Sequence, residues 1–584
     1  MKVVLRLLPF VKKYWVGLCL SFICMLISTI SGLAVPQMLG RGIDSVLRSG
    51  AQSTIIIAAI VIVGASAIRG LAAFGNRYLT MVVSQQASYD MRNRLYDHIQ
   101  HLSFAYHDKS QTGQLVSRAT VDVEAVRMFL SEGLLGIIQT ILLVSGITYI
   151  MVVTDWRLAL ITLAFIPPIA WVTIMVSGKL RPVWLKVQQL MGSLNTTLQE
   201  SLIGVRVVKA FAREDEENRK FYQDTFRLYE TQKQAARLTA INMPLMVVLM
   251  SLPIVLVLWY GGRQVIAGTL SIGNMTAFIL YLGMLAMPIR RLGFIANMYS
   301  RTVSAGQRIL EILDEQSPVR EKPGAIELGR LRGEVTFDNV SFRYNSVAAA
   351  LNNISFTVKP GQTVALLGES GSGKSTLINL ISRFYDVSSG RVLVDGYDVR
   401  DVTLSSLRKN VGIAQQDVFL FSATIKNNIA YGMPGAGMEE IIAAAKAAQI
   451  HDFIQSLPQG YDTWVGERGV TLSGGEKQRI VIARAILMNP SILILDDSTS
   501  SVDAQTEKSI RLALNSLIKG RTTFIITHRL PIIRNADLIL VLKDGEIVER
   551  GRHEELMAIR GIYYRTYQAQ LAATQEFEKS LMED

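Results

Sequence analysis

Gly368-Glu369-Ser370-Gly371-Ser372-Gly373-Lys374-Ser375 stands between the apolar run Thr363-Val364-Ala365-Leu366-Leu367 and the helical stretch Thr376-Leu377-Ile378-Asn379-Leu380. The spacing G-x-x-x-x-G-K-[ST] after a strand and before a helix is that of a phosphate-binding loop. Glycines let successive backbone N–H groups curl around an anion without Cβ clashes, and the following helix turns its positive end to the same charge. Lys374 is then placed to neutralise β- and γ-phosphate oxygens, and the Ser375 hydroxyl to ligate Mg2+. Gly368, Glu369, Ser370, Gly371, Ser372, Gly373, Lys374, Ser375 and Thr376 make up the expected cradle.

Working outward, Ser491-Ile492-Leu493-Ile494-Leu495-Asp496 reads as a buried parallel strand whose terminal carboxylate, Asp496, serves the Mg2+ shell. Between loop and strand, Leu472-Ser473-Gly474-Gly475-Glu476-Lys477-Gln478-Arg479 opens a helix that continues through Ile480–Leu487. Alone, Ser-Gly-Gly before a helix is only an anion-friendly cap. Phosphate loop, Leu-Ser-Gly-Gly-Glu and Asp-ended strand, in this order, together resemble the nucleotide-binding domain of an ABC transporter.

That resemblance implies ATP and Mg2+ as cofactors and assigns further residues. Tyr344 resembles the aromatic that stacks on adenine, although by itself it reads as a strand residue. Gln416, with Gln415 beside it, resembles the loop glutamine that touches Mg2+ and the attacking water. Ser473, Gly474 and Gly475 resemble the signature that covers a nucleotide held by another chain. Trp464-Val465-Gly466-Glu467-Arg468-Gly469 resembles the exporter-specific segment before the signature. Asp503 resembles the aspartate of the loop crossing a dimer interface, and His528 the histidine that contacts the γ-phosphate.

Upstream the material changes. Of 584 residues 49% are apolar and only 18% charged, against about 25% charged in a soluble domain. Disordered and collagen-like chains are excluded. Six charge-free apolar stretches precede residue 290, at Tyr14–Gly40, Ser49–Ile68, Gly133–Thr154, Leu158–Gly178, Leu238–Gly262 and Gln264–Ile289. A helix needs about 20 residues to cross a hydrocarbon layer of roughly 30 Å. Six such stretches in succession read as spans, expected as helices at about 14–40, 51–80, 133–154, 157–178, 238–262 and 275–299. The first exceeds the apolar core of a signal peptide, which runs to about 15 residues, and is expected to remain as a span.

The segments 69–132 and 179–237 are long and basic, whereas the alternate loops are short and nearly bare of charge. The positive-inside bias therefore puts both termini and the nucleotide half in the cytoplasm. The same bias accounts for the net charge of +12, which would otherwise suggest a nucleic-acid binder; no nucleic acid is expected as a partner. Cys19 and Cys24, both in the first apolar run, are neither a disulfide framework nor a metal pair.

The excursions carry helical periodicity without proline over Ala87–Leu102 and Leu194–Phe226, so helices are expected to pass beyond the bilayer and turn back. Turns are expected at 104–115 and 209–214, their aromatics either packed locally or docked elsewhere. By resemblance these tips are coupling helices that meet nucleotide domains.

The fused membrane half resembles the ABC exporter family. The expected fold is a six-helix α transmembrane domain with long cytoplasmic helical extensions, fused to an α/β P-loop ABC nucleotide-binding domain. Its expected divisions are 1–312 for the membrane domain, 313–333 for a linker, 334–570 for the nucleotide domain and 571–584 for a tail. The resemblance implies a multi-pass protein of a bacterial inner or plasma membrane, surrounded by lipid and exporting hydrophobic drugs or lipids by alternating access. An importer is disfavoured, because that class keeps its domains on separate chains.

One residue departs from the family pattern. Where a glutamate polarises the attacking water, this chain has Asp497. Its carboxylate falls roughly 1.5 Å short, and about 1 Å of misplacement costs on the order of 10²-fold in rate. The family includes heterodimers in which one subunit carries such an aspartate and keeps an intact signature, so a second half-transporter with a stronger site is the favoured partner. A fully active homodimer is the alternative, and an ATP-gated, channel-like subunit a third reading.

Overall fold

Long apolar runs and the absence of β-branched alternation make the first 315 residues almost wholly helical. The computed structural model describes residues 2–49, 52–344, 349–414, 418–466, 469, 472–497, 504–527, 530–569 and 571. Helices are α1 (Lys2–Lys12), α2 (Trp15–Ser49), α3 (Gln52–His101), α4 (Phe104–Lys109), α5 (Thr112–Thr154), α6 (Trp156–Ile203), α7 (Val205–Ala210), α8 (Glu214–Ile266) and α9 (Ile272–Asp314).

Among the described residues α2, α3, α5, α6 and α8 are each long and apolar enough to cross a membrane, and α9 contributes the apolar stretch Ile272–Leu285. The 50 residues of α3 extend about 75 Å at 1.5 Å per residue, far more than hydrocarbon needs. The surplus is the charged helix beyond the span. Ile60, Val63, Ile174 and Val247 stand exposed on the spans, as side chains that face lipid must.

The sixth helix starts at Ile272, three residues before the expected Met275. The Ser271 hydroxyl accepts from the Asn274 N–H at 3.1 Å and caps it there. It also runs hard against α2. A Cβ on Gly273 would lie 1.9 Å from the Gly40 carbonyl, so only glycine permits this crossing. Asp44 accepts from the Gly273 N–H at 2.8 Å, and the Tyr281 hydroxyl donates to the Leu33 carbonyl at 2.6 Å.

The chain divides into two compact units, one of Met1–Gln100 with Thr112–Glu315 and one of His101–Gln111 with Gln316–Asp584. The tip His101–Gln111 joins the nucleotide half instead of the membrane half. The linker expected at 313–333 is largely knitted into the nucleotide half, where the Ile326 N–H donates to the Asp401 carbonyl at 2.9 Å and Leu328 and Leu331 pack on the core.

The second unit holds two main sheets. β1 (Val335–Arg343), β2 (Ala349–Val358), β4 (Ser389–Val394) and β5 (Tyr397–Asp398) form an antiparallel layer in the order β2-β1-β4-β5. β3 (Thr363–Leu367), β6 (Val411–Ala414), β9 (Ile492–Asp497), β10 (Thr522–Thr527), β11 (Leu538–Lys543) and β12 (Glu546–Gly551) form the other, in the order β12-β11-β3-β10-β9-β6. All its neighbours are parallel except β11 and β12. A short ribbon of β7 (Ala423–Thr424) and β8 (Trp464–Val465) completes the strands.

The central strands are buried on both faces, which is why they read as unbroken apolar runs. Along β9, Ile492 and Ile494 enter a core shared with the antiparallel layer and the helix α10 (Lys374–Ile381). Leu493 and Leu495 point the opposite way, into a helical core that contains α11 (Met438–Ala447) and α12 (Gly474–Met488). The period of two in a strand thus sorts one run of residues between two cores.

Candidate nucleotide-binding site

The order β3-β10-β9-β6 decides what can meet. Parallel strands end on the same edge of a sheet, and this is where ligands of open α/β folds bind. β3 ends at Leu367, directly before the phosphate loop, and β9 ends in Asp496 and Asp497, paired in register with Ile526 and Thr527 of β10. β10 is followed by His528 and β6 by Gln415 and Gln416. Four sequence-distant segments are therefore delivered to one edge. Gln416, Asp503 and His528 themselves lie outside the described residues, as does the side chain of Asp497.

The loop is held by backbone freedom and by its own lysine. Gly373 has φ +103°, and a Cβ there would lie 2.6 Å from the Ala350 carbonyl; at Gly368 (φ +148°) it would lie 2.3 Å from the Leu542 carbonyl. Gly371 (φ +83°) would meet nothing within 4 Å, so the crest of the loop is open. Lys374 Nζ donates to the carbonyls of Gly368 at 2.8 Å and Glu369 at 2.7 Å, and lies 3.4 Å from Ser372 Oγ. Burial holds this ammonium below the ordinary lysine range, with the Asp496 carboxylate opposing the shift. Ser375 is exposed and Thr376 buried in the first turn of α10.

Tyr344 is brought to this turn. Its hydroxyl lies 3.2 Å from Thr376 Oγ1, and its ring meets Phe342 and Tyr385 edge-on at centroid distances of 4.7 and 5.2 Å. Tyr385 was not anticipated from the sequence. It is buried and donates its hydroxyl to Asp108 on the first tip, while Phe104 stacks on Phe384 at 4.2 Å and Ala105 packs on the core. Burial first, and the Asp108 bond second, push the Tyr385 phenol well above its usual range. The only signal in the sequence was two adjacent aromatics just past α10, which no period connects to residue 108.

The signature lies on the other face of the sheet. Ser473 caps α12 by a reciprocal pair of bonds: its N–H donates to Glu476 Oε2 at 2.8 Å, and its Oγ accepts from the Glu476 N–H at 3.4 Å. Ser473 and Gly474 are exposed and Gly475 is buried. Ile480, Val481 and Ile482 of this helix belong to the helical core, whereas Leu377 and Ile378 of α10 belong to the core of the antiparallel layer. Phosphate loop and signature of one chain are thus built on opposite sides of its sheet.

The comparisons with known proteins now decide the family. Residues 18–289 match the family described as ABC transporter transmembrane region, and residues 351–500 match the family described as ABC transporter. An ATP-dependent lipid A-core flippase of Syntrophus aciditrophicus is 39% identical over 97% of this chain and 94% of its own length.

The chain belongs to the ABC transporter family.

Other relatives of this ABC exporter include YgaD of Bacillus subtilis, whose name assigns it provisionally to multidrug export as an ATP-binding/permease protein. It is 38% identical over 98% of this chain and all of its own length. Among solved structures, a bacterial Atm1-family ABC exporter with ATP bound superposes with a TM-score of 0.78 at 30% identity, covering 95% of this chain and 98% of that one. The exporter is a multi-pass membrane protein, and its second half is an ATPase coupled to transport.

Proposed function

We propose that this exporter moves hydrophobic compounds, drugs or lipids, and does so only as a pair with a second half-transporter. One observation carries the pairing: the phosphate loop and the exposed cap Ser473–Gly474 stand on opposite faces of one sheet, in separate cores, so a single chain cannot close both on one nucleotide. Each ATP then lies between the loop of one chain and the signature of the other. The second cytoplasmic tip supports the same reading, since Val205, Val207 and Phe211 are exposed there. The substrate class rests on the names of the relatives and on the greasy spans, which carry Phe22, Trp171, Met246 and Trp259. The basic excursions support a cytoplasmic side for the termini and the nucleotide half.

At the site, Gly368–Gly373 wrap the β-phosphate, Lys374 gives up its bonds to the Gly368 and Glu369 carbonyls for phosphate oxygens, and Tyr344 stacks on adenine. Mg2+ fits the donors present. Among the described residues no three His, Cys, Asp or Glu side chains cluster as a self-sufficient metal site. Ser375 and Asp496 offer hard oxygens of the kind Mg2+ takes together with phosphates. When bound, the ion neutralises charge on the β- and γ-phosphates. Gln416 and His528 orient water and γ-phosphate, and Asp503 faces the partner. Asp497, shorter than glutamate, makes this chain's own site slow, which favours a heterodimer whose faster site uses this chain's signature.

Purified alone, the chain should hydrolyse ATP weakly, and Asp497→Glu should raise the rate. Strong hydrolysis by the chain alone, abolished by Asp497→Ala, would establish the homodimer and sink the slow-site reading.

A further inference from the structure

The membrane half contains a polar cavity of about 300 Å³ between α3 and α5, into which Asn76, Arg77, Thr80 and Met81 face from one helix and Glu132 and Gln139 from the other. Spacings of three and four put Asn76, Arg77 and Thr80 on one stripe of α3, and the seven-residue step from Glu132 to Gln139 does the same on α5. Glu132 belongs to a π-helical turn, Phe129–Gly133, a local rewinding that re-aims side chains and recurs at functional sites.

Two helices give the depth of this cavity independently. Arg77 lies roughly 37 Å along α3 from Gln52, and Glu132 roughly 34 Å along α5 from Asp155, at 1.5 Å per residue. Both distances just exceed a hydrocarbon thickness of about 30 Å. The cavity therefore opens at headgroup level, on the side where the long excursions emerge.

Arg77 and Glu132 both stand exposed at its mouth. Among the described residues neither Arg77 nor Glu132 enters an ion pair. Arg127 donates Nε to Glu124 at 2.8 Å and Nη1 to Met81 Sδ at 3.4 Å, so it is paired with Glu124, and its charge also bears on Glu132 without a salt bridge to it. The Thr80 hydroxyl donates to the Asn76 carbonyl oxygen at 3.3 Å, which leaves the amide N–H donors of Asn76 for a ligand. An acid and a base at headgroup level, neither held in a salt bridge of its own, offer complementary charges to a ligand that carries both signs.

We propose that this cavity binds the headgroup of a zwitterionic amphiphile, its anionic group on Arg77, its cationic group on Glu132, and its chain along the spans. A singly charged ligand would engage only one of the two side chains. The inference rests on the exporter reading and names a substrate class for it.

The test uses the full chain in phosphatidylglycerol nanodiscs, with native mass spectrometry to count retained ligand. Dodecylphosphocholine should be retained about 10-fold over both dodecyl phosphate and dodecyltrimethylammonium, the worth of one charge-assisted hydrogen bond. Arg77→Gln and Glu132→Gln should each abolish that preference, and the charge-swapped pair Arg77→Glu with Glu132→Arg should restore it. Phosphatidylethanolamine, added in a separate arm, identifies the source. Retention of both zwitterions supports headgroup chemistry of any origin, and retention of the phospholipid alone supports a lipid site.

No zwitterion preference in the wild-type chain, or a preference untouched by both single variants, overturns the proposal. A photoactivatable zwitterionic lipid needs no variant: it should label peptides around 73–81 and 131–139 of the wild-type chain, and labelling confined elsewhere overturns the proposal. ATP-dependent transbilayer movement is measured in the same nanodisc preparation after reconstitution into vesicles. Transport without zwitterion preference defeats this inference alone, whereas binding without transport in vesicles that also carry the second half-transporter defeats the exporter reading.

Discussion

The two faces of the six-stranded sheet carry two different helices, the one after the phosphate loop and the one after the signature cap, in separate cores. On one face the phosphate loop is closed upon itself, with Lys374 satisfied by carbonyls of Gly368 and Glu369, and its helix is locked into the core of the antiparallel layer. On the other, the signature cap is locally satisfied by Glu476 but open to solvent at Ser473 and Gly474. The first face is organised to hold a ligand, the second to be presented to one. The two helical tips repeat the contrast: Phe104 stacks on Phe384 of its own chain, whereas Phe211 is 74% exposed.

The sharpest way to break the comparison is to disable each face in turn. Lys374→Ala should weaken nucleotide binding by this chain on the order of 10²-fold, because a charge aimed at the phosphates is lost. On the proposed pairing, Gly474→Asp should cost turnover of the assembled transporter about 10²-fold while leaving nucleotide affinity of the isolated chain within about twofold. A Cβ at this position meets nothing within 4 Å, so the fold should tolerate the change. Equal loss of this chain's own nucleotide affinity in both variants would dissolve the distinction between the faces.

Next in size is Asp497→Glu, expected to raise hydrolysis by about 10- to 100-fold if reach alone limits the site. An unchanged rate would assign the limit elsewhere. Tyr385→Phe should destabilise the nucleotide half by about 1–3 kcal/mol in thermal unfolding, because Asp108 loses its donor. Because the phenol is raised in the folded state, its contribution is complete below its unfolded value of about 10 and is lost as pH climbs above it. The gap between wild type and Tyr385→Phe should therefore narrow in alkali. Smallest is the pair of tips: Phe104→Ala should cost about 1 kcal/mol of stacking. Phe211→Ala should leave the stability of the isolated chain within about 0.5 kcal/mol.

Much of this was legible in the residues. The phosphate loop is a local object: its glycines are demanded by positive φ and by carbonyls within 3 Å, so its spelling and its shape are tied. The spans are legible for a similar reason, since bilayer thickness sets the length of an apolar helix. The start of the sixth helix was misplaced by three residues because Ser271-Ile272-Gly273-Asn274 reads as a turn, yet Ser271 caps and Asp44 holds the Gly273 N–H. The partners of the linker and of the first tip were not legible, because Ile326, Phe104 and Asp108 find them far away, at Asp401, Phe384 and Tyr385; the docking of the tip rested on resemblance alone.

What the chain determined by itself is therefore what depends on neighbours in sequence: the strand–loop–helix that cradles phosphate, the capped signature helix, the apolar lengths that cross a membrane, and the aspartate where the family has glutamate. Tertiary structure alone decided which of these share a face. Strand order β3-β10-β9-β6 gathers four distant segments on one edge, and the alternation of β9 sends the phosphate-loop helix and the signature helix to opposite cores. The physical reason is that hydrogen bonding and backbone sterics act over a few residues. Burial is settled between segments hundreds of residues apart, where no local period records the partner.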